Sequence, residues 1–309
     1  MDIFIQQLVN GVVLGSIYAL VALGYTLVYG ILGLINFAHG ELVMVGALVA
    51  LSVVRTLSPL LPGLPGWVLA LLGTAVAAGV CALLAILIER VAYRPLRHAP
   101  RLAPLITAIG VSIALQNLAM VIWGRQYHSV PPLLPAASHQ FAGAAITEVQ
   151  ILIVALAALL MAGLIGLVHR TRLGRAMRAC AENIQVAELM GVNVNAIVVA
   201  AFVIGAVLAA VAGVMVSANY GLAHYHMGFL LGLKAFTAAV LGGIGNVGGA
   251  MLGGLLLGIM ESLGAGYLED LSGGFLGSHY QDVLAFFVLI LVLVSRPSGL
   301  LGERVGQRA

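Results

Sequence analysis

The segment HRTRLGRAMRACAENIQVAELMGVN (His169–Asn193) lies between two long apolar runs and carries four arginines. Two other short gaps are similarly basic. The three gaps together hold eleven of the fourteen Lys and Arg residues: Arg170, Arg172, Arg175 and Arg178; Arg90, Arg94, Arg97 and Arg101; and Arg296, Arg304 and Arg308. Arginine clusters of this kind stay on the cytoplasmic side of a membrane. The sequence therefore predicts a multi-pass integral membrane protein whose cytoplasmic face includes these gaps and the C-terminus.

The composition agrees with a membrane protein. Hydrophobic residues make up 62% of the 309 residues, charged residues make up 8%, and the mean hydropathy is +1.12. Eight apolar runs alternate with short polar gaps, at about 5–29, 42–54, 67–88, 105–123, 149–168, 196–216, 229–260 and 283–294. Backbone groups in lipid must be hydrogen-bonded within their own segment, so each run is predicted to be helical. The expected fold is an all-α integral membrane protein with about eight transmembrane helices in one domain, residues 1–309.

Several classes of function lack their motifs. The one lysine, Lys234, is followed by Ala235, so the sequence contains no phosphate-binding Gly-x4-Gly-Lys-Ser/Thr loop. No His-Glu-x-x-His or Cys-x-x-Cys pattern indicates a metal site. No basic cluster is interleaved with stacking aromatic residues, as nucleic-acid binding requires. We therefore expect no catalytic residues, cofactor, metal or nucleic-acid partner, and we expect that the chain is not an enzyme.

Two glycine-rich breaks interrupt the apolar runs. The run 229–260 holds 32 residues, which is about 48 Å of helix and too long for one straight span. The sequence GGIGNVGG (Gly242–Gly249) interrupts it. A re-entrant hairpin or two short spans would keep the C-terminus on the cytoplasmic side, whereas one straight span would not. We therefore predict a broken hairpin. A similar break, GILGLINFAHGE (Gly30–Glu41), follows the first run. Paired breaks of this kind point to a central binding or gating region in transporters.

The residues at the two breaks are candidates for a transport pathway or gate: Asn36, Phe37, His39, Glu41, Gly242, Gly243, Gly245 and Asn246. Ionisable groups at membrane depth favour a functional role. The alternative for Asn36, His39 and Glu41 is a position at the inner rim, where water solvates them. The alternative for Asn246 is a turn residue, and for the glycines it is close helix packing. Lys234 is expected to extend its ammonium group to the outer boundary.

Local sequence chemistry predicts several helix boundaries and loops. The segments Thr147–Gln150 and Ser278–Gln281 each fit a capping box ahead of an apolar run. Asn195 is a plausible N-cap for the run that follows it. The Pro- and Gly-containing stretches 59–66 and 124–147 are predicted to be external loops.

The basic gap 169–193 also predicts a helix of its own. From Arg175 to Met190 the chain contains no Pro or Gly and is rich in good helix formers. Gly191 suits the C′ position that ends such a helix. A short cytoplasmic helix at about 174–191 has the form of an element that docks into another protein. The alternative is an amphipathic helix lying on lipid headgroups, anchored by its arginines.

Five stretches carry a resemblance to a known family: GSIYAL (Gly15–Leu20), NFAHGE (Asn36–Glu41), the loop Glu182–Gly191, KAFTAAVLGGIG (Lys234–Gly245) and PSGLLG (Pro297–Gly302). In combination they resemble the branched-chain amino acid ABC transporter permeases, in particular the LivH-type subunit. The pattern Gln185-Val186-Ala187-x-x-x-Gly191 is similar to a relaxed EAA loop, the segment that couples such permeases to their ATPase subunits. Gln185 and Val186 stand where the strict pattern has Glu and Ala.

The resemblance implies a permease subunit in a bacterial inner membrane that forms half of a pathway for branched-chain or other hydrophobic amino acids. It implies a second permease of the LivM type, two ATP-binding subunits and a periplasmic amino-acid-binding protein as partners, with membrane lipid around the chain. The ATPase-coupling residues would be Arg175, Arg178, Glu182, Gln185, Ala187, Glu188 and Gly191. Two alternatives remain. One is an ABC permease for urea, short amides or a sugar, and the other is a self-sufficient channel or secondary transporter.

Overall fold

The computed structural model describes residues 2–97, 99–100, 102–133, 137–141, 143–271 and 280–302. Within them the chain forms eleven α-helices: α1 (Asp2–Leu32), α2 (His39–Leu60), α3 (Gly66–Ile88), α4 (Leu102–Trp123), α5 (Glu148–Arg170), α6 (Arg172–Glu182), α7 (Ile184–Leu189), α8 (Val194–Tyr220), α9 (Met227–Gly242), α10 (Val247–Leu271) and α11 (Gln281–Ser295). A π-helical turn (Glu89–Tyr93) and a 3-10 turn (Arg94–Leu96) continue α3. Arg101, Arg304, Arg308 and the predicted capping box beginning at Ser278 lie outside the described residues.

Four short strands accompany the helices: β1 (His128–Ser129), β2 (Ser138–Phe141), β3 (Ala144–Thr147) and β4 (Leu222–Ala223). Strand β1 pairs antiparallel with β4, and β2 pairs antiparallel with β3. The external loop predicted at 124–147 therefore contains a small hairpin and one strand of a second ladder. The sequence did not predict these pairings, because short polar strands carry little hydrophobic pattern.

The helices confirm the predicted class of all-α, multi-pass membrane protein. Among the described residues, seven helices are long and apolar enough to cross a membrane: α1, α2, α3, α4, α5, α8 and α10. Helices α9, with 16 residues, and α11, with 15, are apolar but shorter. The run 229–260 is broken into α9 and α10, which pack against each other. The predicted hairpin is thus present.

Helix α1 forms the centre of the bundle. It is the most deeply buried span and packs against α10, α8, α9 and α5. A Cβ atom on Gly15 would lie 2.7 Å from the Cα atom of Leu255, and one on Gly11 would lie 2.6 Å from the Cα atom of Ile259. The backbones of α1 and α10 are therefore in direct contact, a form of packing that small residues allow in membranes.

The bundle has two chemically different ends. The basic end comprises residues 89–97, 170–193, 242–246 and 296–302, and the loop end comprises residues 2–6, 55–66, 124–133, 137–147 where described, and 221–226. At the basic end, Arg97 Nη1 donates to Asn195 Oδ1 (2.6 Å). At the loop end, Arg55 Nη2 donates to the carbonyl of Ser129 (2.9 Å). The described parts of the three predicted cytoplasmic gaps thus lie at one end, as the charge pattern requires.

Two predictions of helix caps have different outcomes. The capping box at Thr147 is confirmed, because its hydroxyl accepts from Gln150 N (3.3 Å) and Gln150 Oε1 accepts from Thr147 N (3.0 Å). The N-cap prediction at Asn195 is wrong. Helix α8 is capped by Asn193, whose Oδ1 accepts from Ala196 N (3.1 Å). Both asparagines precede the same apolar run, so the pattern could not separate them.

The predicted position of Lys234 at the outer boundary is also wrong. Its Nζ lies 2.5 Å from Glu261 Oε1 and 2.8 Å from Asp282 Oδ1, inside the packing of α9, α10 and α11. The hydroxyl of Tyr18 donates to Glu261 Oε2 (3.0 Å). An ammonium group with two carboxylate partners is stabilised within the bundle, so it does not need to reach water.

Candidate functional site

The helix predicted at 174–191 is present at the basic end, but as two helices. Asn183 separates α6 from α7, with φ −160° and ψ 111°, and its Oδ1 accepts from Val186 N (3.0 Å). Asparagine competes with helical hydrogen bonding in this way because its short side chain reaches nearby backbone groups. The prediction of one continuous helix from Arg175 to Met190 is therefore wrong at Asn183.

The end of α7 follows the prediction. Gly191 has φ +85°, a left-handed conformation that favours glycine. Gly191 N donates to the carbonyl of Glu188 (3.0 Å), and Val192 N donates to the carbonyl of Ala187 (3.0 Å). This pair of bonds is a Schellman motif, which closes a helix with a defined geometry. The segment after α7 therefore leaves the helix at a fixed angle.

Helix α6 is anchored firmly to the bundle. Met177 and Cys180 are buried against it, and burial raises the pKa of the Cys180 thiol. A Cβ atom on Gly174 would lie 2.3 Å from the carbonyl oxygen of Val168 in α5. Helix α6 also packs against α1 and α8. A force applied to this helix would thus reach three spans.

The outer side of α6 and α7 forms one exposed surface, which we call the docking face. It contains six of the predicted ATPase-coupling residues: Arg175, Arg178, Glu182, Gln185, Glu188 and Gly191. The seventh, Ala187, points inward and is buried. The docking face also includes Leu189, 86% exposed, and Met190, 80% exposed. These two apolar residues were not predicted to be exposed, because an apolar residue in a helical pattern is normally assigned to the buried side.

The first break places its polar side chains inside the protein. Helix α1 ends at Leu32 and α2 begins at His39. Asn36, His39 and Glu41 are all buried, with Glu41 fully inaccessible. The alternative in which water at the inner rim solvates these groups does not agree with this burial.

Glu41 is held by helix α4. Its Oε1 accepts from Ser112 Oγ (2.9 Å) and from Gln116 Nε2 (2.7 Å). A buried carboxyl group requires such partners. Gln116 thus bonds to the predicted gate region.

His39 and Phe37 pack against aromatic neighbours. The ring of His39 lies edge-on to Tyr25 of α1, with 4.9 Å between centroids. Phe37 packs against Phe236 of α9, with 5.6 Å between centroids. A Cβ atom on Gly24 would lie 2.2 Å from His39 Nε2, so α1 accommodates the imidazole only because residue 24 is glycine. The break therefore contacts both the central helix and α9.

The second break is built from backbone contacts. A Cβ atom on Gly242 would lie 1.8 Å from the carbonyl oxygen of Gly249, and one on Gly243 would lie 2.4 Å from Gly302 N. Gly243 and Gly245 have φ of +107° and +96°. Close packing, the alternative reading of these glycines, agrees with this geometry.

Asn246 completes the second break as a turn residue. Its Oδ1 accepts from Gly249 N (3.0 Å) and its Nδ2 donates to the carbonyl of Leu301 (2.9 Å). Leu301 N in turn donates to the carbonyl of Gly242 (2.9 Å). The segment 296–302 thus locks the turn between α9 and α10. Among the described residues, no group of His, Cys, Asp and Glu could hold a metal ion.

Residues 7–293 match the family model described as "Branched-chain amino acid transport system / permease component". The chain belongs to this family. It is 49% identical over 305 residues to the high-affinity branched-chain amino acid transport system permease protein BraD of Pseudomonas aeruginosa, covering 97% of this chain and 96% of BraD. It is 46% identical over 306 residues to LivH of Escherichia coli, covering 97% and 96%. No solved structure matches the chain.

An archaeal relative is more distant. The chain is 30% identical over 295 residues to the probable branched-chain amino acid transport permease protein LivH of Methanocaldococcus jannaschii, covering 95% of this chain and 91% of the relative. These relatives are named as permease components of transport systems, so the family functions together with other subunits. The resemblance drawn from sequence motifs is confirmed.

Proposed function

We propose that the chain is a permease subunit of an ATP-binding-cassette importer for branched-chain and similar hydrophobic amino acids. It forms half of the translocation pathway, and partner subunits hydrolyse the ATP. The nearly full-length similarity to BraD and LivH supports this cargo class. The apolar interior also suits a cargo with an apolar side chain, because such a cargo requires few polar contacts.

The observation that carries the proposal is the docking face. Leu189 and Met190 expose large apolar side chains beside a rigidly capped helix end. Exposed apolar groups rimmed by polar residues mark contact sites. Glu182 and Glu188 lie on the same face as Arg175 and Arg178, so the docking face carries both signs of charge and lacks the purely basic polar face that is typical of helices lying on lipid. The docking face therefore fits a groove on a protein partner better than it fits a lipid surface.

The partners follow from this assignment. The docking face contacts one of two ATP-binding subunits, and a second permease of the LivM type completes the pathway. A periplasmic amino-acid-binding protein delivers cargo at the loop end. The chain lies in a bacterial inner membrane, and both the basic end and the C-terminus lie in the cytoplasm.

The mechanism is a mechanical coupling between the two ends. Closure of the ATP-binding subunits displaces α6 and α7. Because α6 packs against α1, α5 and α8, the displacement moves these helices as rigid bodies. The break at 33–38 allows α2 to reorient, whereas the α9–α10 hairpin, which is locked at 243–246, moves as one unit. The pathway then changes from inward-facing to outward-facing, and the cargo enters from the binding protein.

The test is purification of the tagged chain in mild detergent with all partners coexpressed. We expect the ATP-binding subunits to copurify with the unaltered chain and to be lost from a variant with Leu189→Ser and Met190→Ser. The control is Leu60→Ser, since Leu60 is 67% exposed near the loop end. This variant should retain the subunits.

Leucine uptake by the chain alone in liposomes would contradict the proposal and favour a self-sufficient channel. ATP hydrolysis that is stimulated by a binding protein loaded with urea or a sugar, and not by one loaded with leucine, would contradict the proposed cargo.

A further inference from the structure

The segment Glu89–Arg97 connects two parts of the candidate site that are far apart in sequence. It continues α3 through a π-helical turn at 89–93 and a 3-10 turn at 94–96. A π turn is rare and is frequently found at functional sites. It inserts extra backbone per turn, which changes the direction of the side chains that follow. Here Tyr93 contacts the first break and Phe202 of α8, and Arg97 contacts Asn195 at the start of α8.

Tyr93 contacts the first break. Its hydroxyl donates to Asn36 Oδ1 (2.9 Å), and both residues are buried. The ring of Tyr93 lies edge-on to Phe202 of α8, with 5.3 Å between centroids. This hydrogen bond and the bond from His39 N to the carbonyl of Asn36 (3.0 Å) fix Asn36 between α1 and α2, so a shift of Tyr93 would change the position of the break.

Arg97 contacts the start of α8. It donates to Asn195 Oδ1 (2.6 Å) and pairs with Glu89, which is fully buried. Asn195 lies four residues after Gly191, where the capped end of α7 leads into α8. A buried carboxylate is strongly disfavoured without a charged partner, so Glu89 holds Arg97 in place. The start of α8 is therefore tied to the same segment as Asn36.

We propose that Glu89, Tyr93 and Arg97 are positioning residues that transmit movement of the docking face to the first break. When α6 and α7 move, the start of α8 moves with Arg97, and Tyr93 carries the shift to Asn36. This proposal rests on the proposed function, because it requires an ATP-driven movement of the docking face. It assigns coupling to residues that do not contact the ATP-binding subunit.

The experiment compares uptake with ATP consumption in the complete importer, reconstituted in liposomes with the loaded binding protein and radiolabelled leucine. Tyr93→Phe removes one hydroxyl and keeps the ring. We expect the amount of leucine taken up per ATP hydrolysed to fall about fivefold, which corresponds to the free energy of one net hydrogen bond. ATP hydrolysis itself should persist. Tyr18→Phe is the matched control, since Tyr18 is also buried and donates to Glu261. Its uptake per ATP should equal that of the unaltered importer.

A double variant tests whether Tyr93 and Asn36 act through the same hydrogen bond. Asn36→Ala should lower the ratio as Tyr93→Phe does, and the two together should lower it no further, because both remove the same bond. An unchanged ratio in Tyr93→Phe, or an equal fall in Tyr18→Phe, overturns the proposal. The proposed function fails separately, if the ATP-binding subunits do not copurify with the unaltered chain.

Discussion

The two helix breaks have the same glycine-rich sequence character but different construction. The first break, at 33–38, is surrounded by buried polar side chains, and Asn36 and Glu41 are held by Tyr93 and by α4. The second break, at 243–246, is held by glycine backbones that touch each other and the segment 296–302. A glycine-rich interruption of a helix can therefore serve two purposes. It can create space for functional side chains, or it can bring backbones into contact.

The difference has a mechanical consequence. Side-chain hydrogen bonds can exchange partners when helices move, whereas interlocked backbones must move together. We therefore expect the first break to change conformation during transport, and the second to act as a rigid corner joining α9, α10 and the segment 296–302.

The largest effect is expected for Gly243→Ala. The new Cβ atom would lie 2.4 Å from Gly302 N, and φ is +107°, so both the space and the backbone conformation exclude alanine. We expect a loss of more than about 4 kcal/mol in the free energy of unfolding, and hence little folded protein. The measurement is the yield of monodisperse chain in detergent. A normal yield would show that the second break is not interlocked.

The next largest effect is expected for Glu41→Ala. It leaves the buried Ser112 hydroxyl without this acceptor, and it leaves the Gln116 amide with the longer bond to Ser112 Oγ (3.4 Å), which costs about 2 kcal/mol. Glu41→Gln keeps an acceptor oxygen and should cost less than about 1 kcal/mol. The melting temperatures of the two purified variants are measured in mixed micelles and compared. Equal melting temperatures would mean that these hydrogen bonds contribute nothing to the first break.

A smaller effect is expected for Asn246→Ala. The substitution removes the acceptor for Gly249 N and the donor to the carbonyl of Leu301. Loss of such a cap costs about 1 kcal/mol. Asn246→Asp keeps the acceptor for Gly249 N but loses the donor to the Leu301 carbonyl, so it isolates the contribution of the cap. The melting temperature of the alanine variant should be lower than that of the aspartate variant. The reverse order would contradict the capping role.

The smallest effect is expected for Gly33→Ala. Gly33 has φ +63°, but no atom lies within 4 Å of the added Cβ atom. The strain of a left-handed alanine is about 1 kcal/mol, partly offset by the reduced entropy of the unfolded chain. Folded yield and leucine uptake should both remain close to normal. A loss as large as that of Gly243→Ala would show that the two breaks are built alike.

Much of the fold could be predicted because the membrane imposes strong patterns. Apolar runs and arginine clusters predicted the helices and the two ends, and length and parity predicted the hairpin at 229–260. The predictions failed where one side chain decided between local alternatives. Asn183 breaks the helix at the basic end, and Asn193 caps α8 in place of Asn195. Each asparagine fits several positions, and only the backbone geometry selects one.

The candidate site could be predicted in part. The two breaks were predicted from their glycine-rich sequence, and the coupling residues of the docking face were predicted from the resemblance to the EAA loop; the roles of both sets stay predictions. Tyr93 and Arg97 were not, because a π turn has no signature in the sequence and their partners are 57 and 98 residues away. The cluster around Lys234 was missed for a related reason. Its carboxylates belong to different helices, and only packing brings Glu261 and Asp282 together.

The most direct test of the central claim is photocrosslinking from the docking face. A photoreactive amino acid replaces Leu189 in the assembled importer in native membranes, and the same residue replaces Leu60 as the control. We predict a covalent adduct between position 189 and an ATP-binding subunit, and no such adduct from position 60. Position 189 reacting only with lipid or with the periplasmic binding protein would contradict the account.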